Sequence, residues 1–349
     1  MYSLIKPYIF NLDPEVAHDL AIKSLKFNFV PKSLFKVEGE EILKIKLFNK
    51  ELKNPIGLAA GFDKSAEVYN TVFKLGFGFV EVGTVTPRQQ FGNPKPRVFR
   101  LVEDKALINR LGFNNVGLDT VKERIKNNEP EGFLGINIGP NKDTKNKIED
   151  YIKCYSGLNK LSNYITINIS SPNTEGLRDF HDKKLFIKLL DRIMTYKDRN
   201  KVSTPITIKL SPDITDQNIE EIKKLILDYN IDGVIISNSS DQSRNALLSK
   251  YKNETGGVSG QPIKNLSDEL IKKFYTDLKN KVEIIGVGGV QTANDVINKL
   301  KSGATAVQLY TGMVFEGPKI VKNIKKELIA YMRDKEIKNL KDIIGKNTN

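Results

Sequence analysis

The chain has 349 residues, 39% of them hydrophobic, with 55 Lys+Arg against 42 Asp+Glu and a formal charge of +13. This composition excludes a disordered chain and suits one large α/β domain or two small ones. A single cysteine excludes an internal disulfide framework and fits a reducing compartment.

No apolar run is long enough to span a bilayer, and the N-terminus lacks an export-signal pattern, so export is not expected. Lysines are scattered along the chain, as in KKLI, KKEL and INKLK, beside nearby acids. That spread reads as a solvated positive surface. It draws anionic lipid without specifying it, and it does not by itself indicate nucleic acid.

Asp13–Pro14–Glu15 is a helix start, with Asp as N-cap and Pro at the first helical position. YSLIKPYIF before it and IKSLKFNFVPKSLFK after it carry more apolar surface than two short helices can hide. The segment either docks on the rest of the chain or forms an interfacial foot with lysines toward lipid headgroups.

Eight short apolar runs follow: PIGLA (55–59), FVEVG (79–83), LGINI (134–138), ITINI (165–169), ITIKL (206–210), GVIIS (233–237), EIIGV (283–287) and AVQLY (306–310). Amphipathic helices separate them. AEVYNTVFKLG aligns Val68, Val72 and Leu75 and stops at Gly76. TDQNIEEIKKLILDYN aligns Ile219, Ile222 and Ile226 behind Thr215 as N-cap. Eight strand–helix units with near-continuously apolar strands predict an α/β fold, a (β/α)8 TIM barrel with a small N-terminal helical extension. An open doubly wound sheet is the alternative. The expected organisation is a helical segment over 1–45, the barrel over 46–335 and a tail over 336–349. Two long connections interrupt it. Residues 84–131 contain RVFRLVEDKALINRL, a hairpin turning at Glu103–Lys105, and residues 238–282 contain TGGVSG ahead of a helix.

Barrels of this kind place chemistry at the C-terminal strand ends. Those ends carry AAGFDK with Gly61 and Lys64, then Thr84, Asn137 and Gly139, then Asn168 with SSPN. Lys209, Ser237–Asn238–Ser239, GVGGV and YTG complete the set. Acids are almost absent, Asp63 being the exception. No His cluster, Cys pair or carboxylate pair suggests a metal or glycosidase site. Small, amide and cationic groups suit a large anionic ligand. The Gly288–Gly289 turn ahead of TANDVINKL and Thr311–Gly312 match a phosphate site after strands seven and eight, unless these glycines only make turns. Lys209, near the end of an apolar strand, reads as a Schiff-base lysine, a fixed cation beside a cofactor, or a lysine snorkelling to the rim. Cys154, in IEDYIKCYSGL, reads as helix packing. His181, in DFHDKK, reads as a surface residue, and His18 by itself as a helix-face residue.

AAGFDK, EVGTVTPR, GNPKPRVFRL, INRLGFNN, GINIGPNKDT, NISSPNTEGLR, TGGVSG and IIGVGGV, in this order, resemble dihydroorotate dehydrogenase of the class 2, quinone-linked, membrane-associated type. The resemblance covers roughly residues 1–330. It implies an FMN-dependent barrel oxidising (S)-dihydroorotate to orotate in pyrimidine (UMP) synthesis, with a quinone as final acceptor and no nucleic acid partner. It makes Ser171 the base for the C5 proton, where soluble class 1 enzymes carry cysteine, with Thr174 and Phe113 assisting. Asn109, Arg110, Leu111, Gly112, Phe113, Asn168, Asn173, Asn238 and Ser239 match substrate contacts, and Lys64 matches a residue near both substrate and flavin. Ala60, Gly61, Thr84, Asn137, Asn168, Lys209, Ser237, Gly260, Gly289, Tyr310 and Thr311 match FMN contacts. Lys209 beside flavin N1/O2 then favours the fixed-cation reading. His18 and Arg100 match the inner end of a quinone tunnel. The N-terminal helices become a peripheral membrane foot, on the cytoplasmic face of the inner (cell) membrane. The usual TNTT is SNSS here, and Thr311 stands for the usual Ser; both changes keep the hydroxyls. A tRNA-dihydrouridine synthase-like flavoenzyme is the alternative. It would need a basic, aromatic-bearing RNA face and usually a catalytic cysteine in a mouth loop.

Overall fold

The computed structural model describes residues 2–242 and 244–348. The chain begins with α1 (Tyr2–Asn11) and α2 (Pro14–Lys26). Asp13 caps α2 as expected, its Oδ1 accepting from the N–H groups of Glu15 at 2.8 Å and Val16 at 3.2 Å. Neither helix buries a residue. Phe29, just beyond them, is 89% exposed, and Leu4, Tyr8 and Phe27 also stand in solvent. The helices are held to the body at few points. Arg97 forks onto Glu15, with Nε at 3.0 Å from Oε2 and Nη2 at 2.9 Å from Oε1. Phe10 meets Phe315 edge-on at 5.6 Å, and the Tyr2 hydroxyl donates to the carbonyl of Val314 at 2.6 Å.

A hairpin of β1 (Ile45–Leu47) and β2 (Lys50–Leu52) comes next, and sequence reading does not find it. Its turn uses Phe48 and Asn49, both at positive φ, without a glycine. The Phe48 ring lies 5.5 Å from that of Tyr164, against the N-terminal end of the barrel.

The barrel strands and helices follow in the expected order: β3 (Ile56–Leu58), α3 (Tyr69–Lys74) and β4 (Phe79–Val85). The hairpin of β5 (Val98–Leu101) and β6 (Ala106–Asn109) precedes α4 (Leu118–Asn127), β7 (Phe133–Ile138), α5 (Lys147–Leu158), β8 (Tyr164–Asn168) and α6 (Lys183–Arg199). Then come β9 (Ile206–Leu210), α7 (Asp216–Asp228), β10 (Gly233–Ile236), β11 (Gly257–Gly260), α8 (Lys264–Leu278), β12 (Glu283–Val287) and α9 (Ala293–Lys301). The chain ends through β13 (Ala306–Leu309), α10 (Thr311–Glu316) and α11 (Ile320–Asp334). Strands β3, β4, β7, β8, β9, β10, β12 and β13 form a closed parallel barrel. Pairing of Val307 with Ile56 closes the ring and rules out the open sheet. Each of the eight apolar runs supplies one barrel strand. The fold is the (β/α)8 barrel.

Thr215 caps α7, its Oγ1 accepting from the Asn218 N–H at 3.3 Å, and Gly76 ends the α3 turn at φ +95°. Hairpin β5–β6 forms where expected. TGGVSG, however, is no mere turn: β11 pairs antiparallel with β6 and extends the hairpin to a three-stranded sheet.

Small residues on the strands make room for large rings inside the barrel. A Cβ added at Gly135 would lie 2.1 Å from the Tyr164 ring, and one at Gly57 2.4 Å from Phe79. Gly135→Ala is therefore expected to cost about 1–3 kcal/mol through overpacking. Urea unfolding should show a lowered midpoint that exposed Lys160→Ala does not reproduce.

Candidate active site

The site is built on a buried polar network inside the barrel. Glu81, on β4, is fully buried. Its carboxylate accepts from Asn137 Nδ2, Tyr164 Oη and Gln308 Nε2, each at 2.8 Å. Asn137 Oδ1 accepts in turn from Thr84 Oγ1 at 2.6 Å and Asn168 Nδ2 at 3.1 Å. Asn168 Oδ1 accepts from the Ser170 hydroxyl at 2.8 Å, and Ser170 Oγ accepts from Asn238 Nδ2 at 2.9 Å. Four strand ends are thus tied side chain to side chain. Sequence reading named Asp63 as the one acid near this rim. Asp63 turns back to accept the N–H groups of Glu67 at 2.7 Å and Val68 at 2.8 Å, while a second acid, Glu81, lies deeper, in the middle of β4. The signal for Glu81 and Gln308 was present, since a charged or amide side chain in the middle of an apolar strand needs buried partners.

Above this floor lies one cavity. From the β3 end it is lined by Ala60, Gly61 and Lys64, and from β4 by Thr84. The β6 connection adds Asn109, Leu111, Gly112 and Phe113. Asn168, Ser171 and Asn173 come from the β8 loop, Lys209 from β9, and Ser237, Asn238 and Ser239 from the β10 loop. Gly260, Gly289, Tyr310 and Thr311 complete the far wall. Three residues expected at the site, Thr174, Asn137 and Arg110, do not line it. Asn137 lies one layer below, behind Thr84 and Asn168. Arg110 reaches outward, its Nη1 2.8 Å from Glu254 Oε2 and its guanidinium 4.7 Å from the Phe99 ring. Asn114, Ser259 and Gln308 line the cavity without having been anticipated. Asn114 and Ser259 lie inside motifs already noted, INRLGFNN and TGGVSG. Ser259 pairs hydroxyl to hydroxyl with Thr311 at 2.8 Å.

Two lysines reach this cavity with no protein acceptor among the described residues. Burial pulls the Lys64 ammonium down to about 8, partly opposed by Glu15. Burial also lowers Lys209, against the attraction of Glu81. A cation is expensive to keep dry without an anion, so both point to an anionic or electron-rich occupant. The N–H groups of Gly288, Gly289 and Gly312 find no backbone acceptor among the described residues. A Cβ at Gly61 would meet nothing within 4 Å and would project into open space.

The dihydroorotate dehydrogenase family model matches residues 42–332. The chain belongs to the dihydroorotate dehydrogenase family. A dihydroorotate dehydrogenase (quinone) of Christiangramia forsetii is 44% identical, over 94% of this chain and 98% of that protein. The mouse mitochondrial dihydroorotate dehydrogenase (quinone) is 40% identical, over 96% of this chain and 87% of its own. The crystal structure of Eimeria tenella DHODH with ferulenol superposes with a TM-score of 0.90 at 35% identity, covering 96% of each chain.

Dihydroorotate dehydrogenases are flavin-dependent, and the cavity fits a flavin nucleotide. Among the described residues its glycine turns leave N–H groups free at one end, Gly61 leaves an open wall, and the Lys209 ammonium over the floor has no partner. Among the described residues no three His, Cys, Asp or Glu side chains are grouped to hold a metal. Cys154 is fully buried on α5, with Sγ 3.7 Å from the Val85 carbonyl, and burial pushes its thiol well up. The dihydrouridine-synthase reading, which usually brings a mouth-loop cysteine, finds Cys154 buried instead.

His18 and Arg100 lie off this cavity, at the N-terminal helices. The His18 ring meets Phe62 edge-on at 5.2 Å, and Phe62 meets the cavity residue Tyr310 at 6.0 Å. Burial, reinforced by Lys64, pulls His18 down to about 3. Arg100 lies 4.9 Å over the Phe10 ring, and its buried Nη2 has no partner among the described residues.

His181 is a correction. Rather than a surface residue it is 6% exposed, because a 3₁₀ turn over Arg178–His181 folds it under the loop after β8. Burial, with Arg178 adding repulsion, pushes its imidazole down to about 4. The unfolded chain then binds a proton below about pH 6.5 that the native state refuses. Stability is expected to fall as pH drops from about 6.5 toward 4, with His181 contributing up to about 1.4 kcal/mol per pH unit. Urea midpoints at about pH 7 and pH 5 test this: the gap should be smaller in His181→Gln than in the native chain.

Proposed function

We propose that this chain oxidises (S)-dihydroorotate to orotate, with FMN in the cavity and a quinone as final acceptor, in pyrimidine synthesis. The observation that carries the reading is the convergence of Ser171, the amides Asn109, Asn168, Asn173 and Asn238, and both lysines on one cavity. Bound FMN supplies two-electron oxidation at C6 of the substrate. Gly260, Gly289 and Thr311 would hold its phosphate end, and Ala60, Gly61, Thr84, Lys209, Ser237 and Tyr310 its ring end, over Asn137.

Ser171 is the base for the C5 proton. A serine hydroxyl is a weak base, so it needs orientation and shelter from water. Ser171 is buried, and the Asn173 N–H donates to its Oγ at 3.2 Å, which fixes the hydroxyl. Thr174, buried on the same loop, takes the assisting role that the resemblance assigns it. The dihydroorotate ring carries both carbonyl and N–H groups, and asparagine amides match each kind. Lys64 complements its carboxylate. Lys209 keeps a positive charge where electron density accumulates.

The quinone reaches the site past α1 and α2. The aromatic series His18–Phe62–Tyr310 runs from α2 to the cavity wall, and the unpaired Arg100 nitrogen suits a carbonyl headgroup. No described helix is long and apolar enough to cross a membrane. The exposed Leu4, Tyr8, Phe27 and Phe29, beside Lys6, Lys23, Lys26 and Lys32, suit peripheral attachment to an anionic leaflet, on the cytoplasmic face of the inner membrane.

The FMN-loaded protein should lose its flavin absorbance when dihydroorotate is added without oxygen. Ser171→Ala should keep the flavin and lose about 10²-fold or more in rate; a normal rate would refute the base. A Leu4→Ser, Phe27→Ser, Phe29→Ser variant should sediment poorly with vesicles containing anionic lipid while its bleaching by dihydroorotate is unchanged.

A further inference from the structure

Ser171 sits on the stretch between β8 and α6, which holds no regular structure before the 3₁₀ turn at Arg178–His181. A base must be held within a fraction of an ångström of its proton, so something outside the cavity has to fix this loop. The strongest candidate is a cluster just behind it. Arg178 donates from Nε to the carbonyl of Ser170 at 3.2 Å, next in chain to Ser171. Its Nη2 donates to the carbonyl of Ser239 at 3.2 Å and to Asp213 Oδ2 at 3.0 Å, and its Nη1 lies 3.0 Å from Asp241 Oδ1. The Asp213 side chain is 3% exposed and also accepts the Ser240 hydroxyl at 2.5 Å and the Asp241 N–H at 3.1 Å.

One guanidinium therefore joins three loops, those after β8, β9 and β10, and two of them carry cavity residues. Every contact uses a different direction of the planar fork, which a lysine ammonium cannot reproduce. The buried Asp213 carboxylate makes the arrangement stiff, since moving Arg178 away would strand a dry anion.

We propose that Arg178, anchored by Asp213, is the positioning residue for Ser171: it holds the loop of the base against the loop of Asn238 and Ser239, and touches neither substrate nor cofactor. The inference rests on Ser171 being the base.

The test uses the full-length, FMN-loaded chain and anaerobic stopped-flow bleaching by dihydroorotate. Arg178→Gln should lower the saturating rate about 10²-fold, with the Michaelis constant changed less than about 5-fold. Because the effect passes through Ser171, Arg178→Gln should cost the Ser171→Ala protein less than about 3-fold more. Multiplying losses, or an unchanged rate in Arg178→Gln, overturn the proposal. Amide hydrogen exchange over residues 170–177, read without turnover, should quicken at least about tenfold in Arg178→Gln; unchanged exchange overturns the proposal as well. If dihydroorotate bleaches not even the native protein, the functional reading fails, and the exchange experiment still decides whether Arg178 holds the loop. If Arg178→Gln does not fold, Arg178→Lys, which keeps the charge and loses the fork, should show the same loss of rate; a native rate there overturns the proposal.

Discussion

A carboxylate in the middle of the barrel organises everything above it. Glu81 takes three donors from three other strands, and one of them, Asn137, sets the orientation of Thr84, Asn168 and, through Ser170, Asn238. Buried polar networks of this kind are costly unless complete and rigid once complete. The same carboxylate offsets the burial of Lys209, whose ammonium has no partner among the described residues. An ordered polar floor and a positively charged wall are thus two consequences of one acid.

The molecule divides its labour by stiffness. Strand-borne groups such as Lys209 and Asn168 are locked by closure of the barrel. Ser171 and Asn238 lie on loops, and these are joined behind the cavity by polar contacts rather than by core packing. The N-terminal helices are attached most loosely, by the Arg97–Glu15 fork and a few aromatic contacts, and they bury no residue. Elements held this way open at low cost, which suits the membrane-facing role proposed for this segment.

Much of this was legible in the chain. Eight apolar runs became eight barrel strands because strands covered on both faces have to be nearly all apolar. Asp13 and Thr215 capped the helices they precede, because a short polar side chain is the cheapest partner for free N–H groups. Cavity residues were legible where motifs crowd the strand ends. The β1–β2 hairpin was hidden because Phe48 and Asn49 occupy a turn that usually advertises itself with glycine. β11 was hidden because its glycine-rich stretch reads as a turn until β6 is there to pair with it.

The pairing of Val307 with Ile56 closed the ring, but periodicity, composition and motif order were enough to favour the barrel over an open sheet and to indicate the helical extension and the small polar and cationic groups around one rim. These are local properties, governed by which face of a strand or helix must be dry. Tertiary structure alone decided what each charge faces. It sent Arg110 and Asp63 away from the cavity, brought Gln308 to its wall with Glu81 in the barrel beneath, buried His181, and brought Arg178 to the backbone beside Ser171. A charged side chain carries no mark of its partner, because long-range packing sets the distance that makes it an ion pair, a lone cation or a surface group.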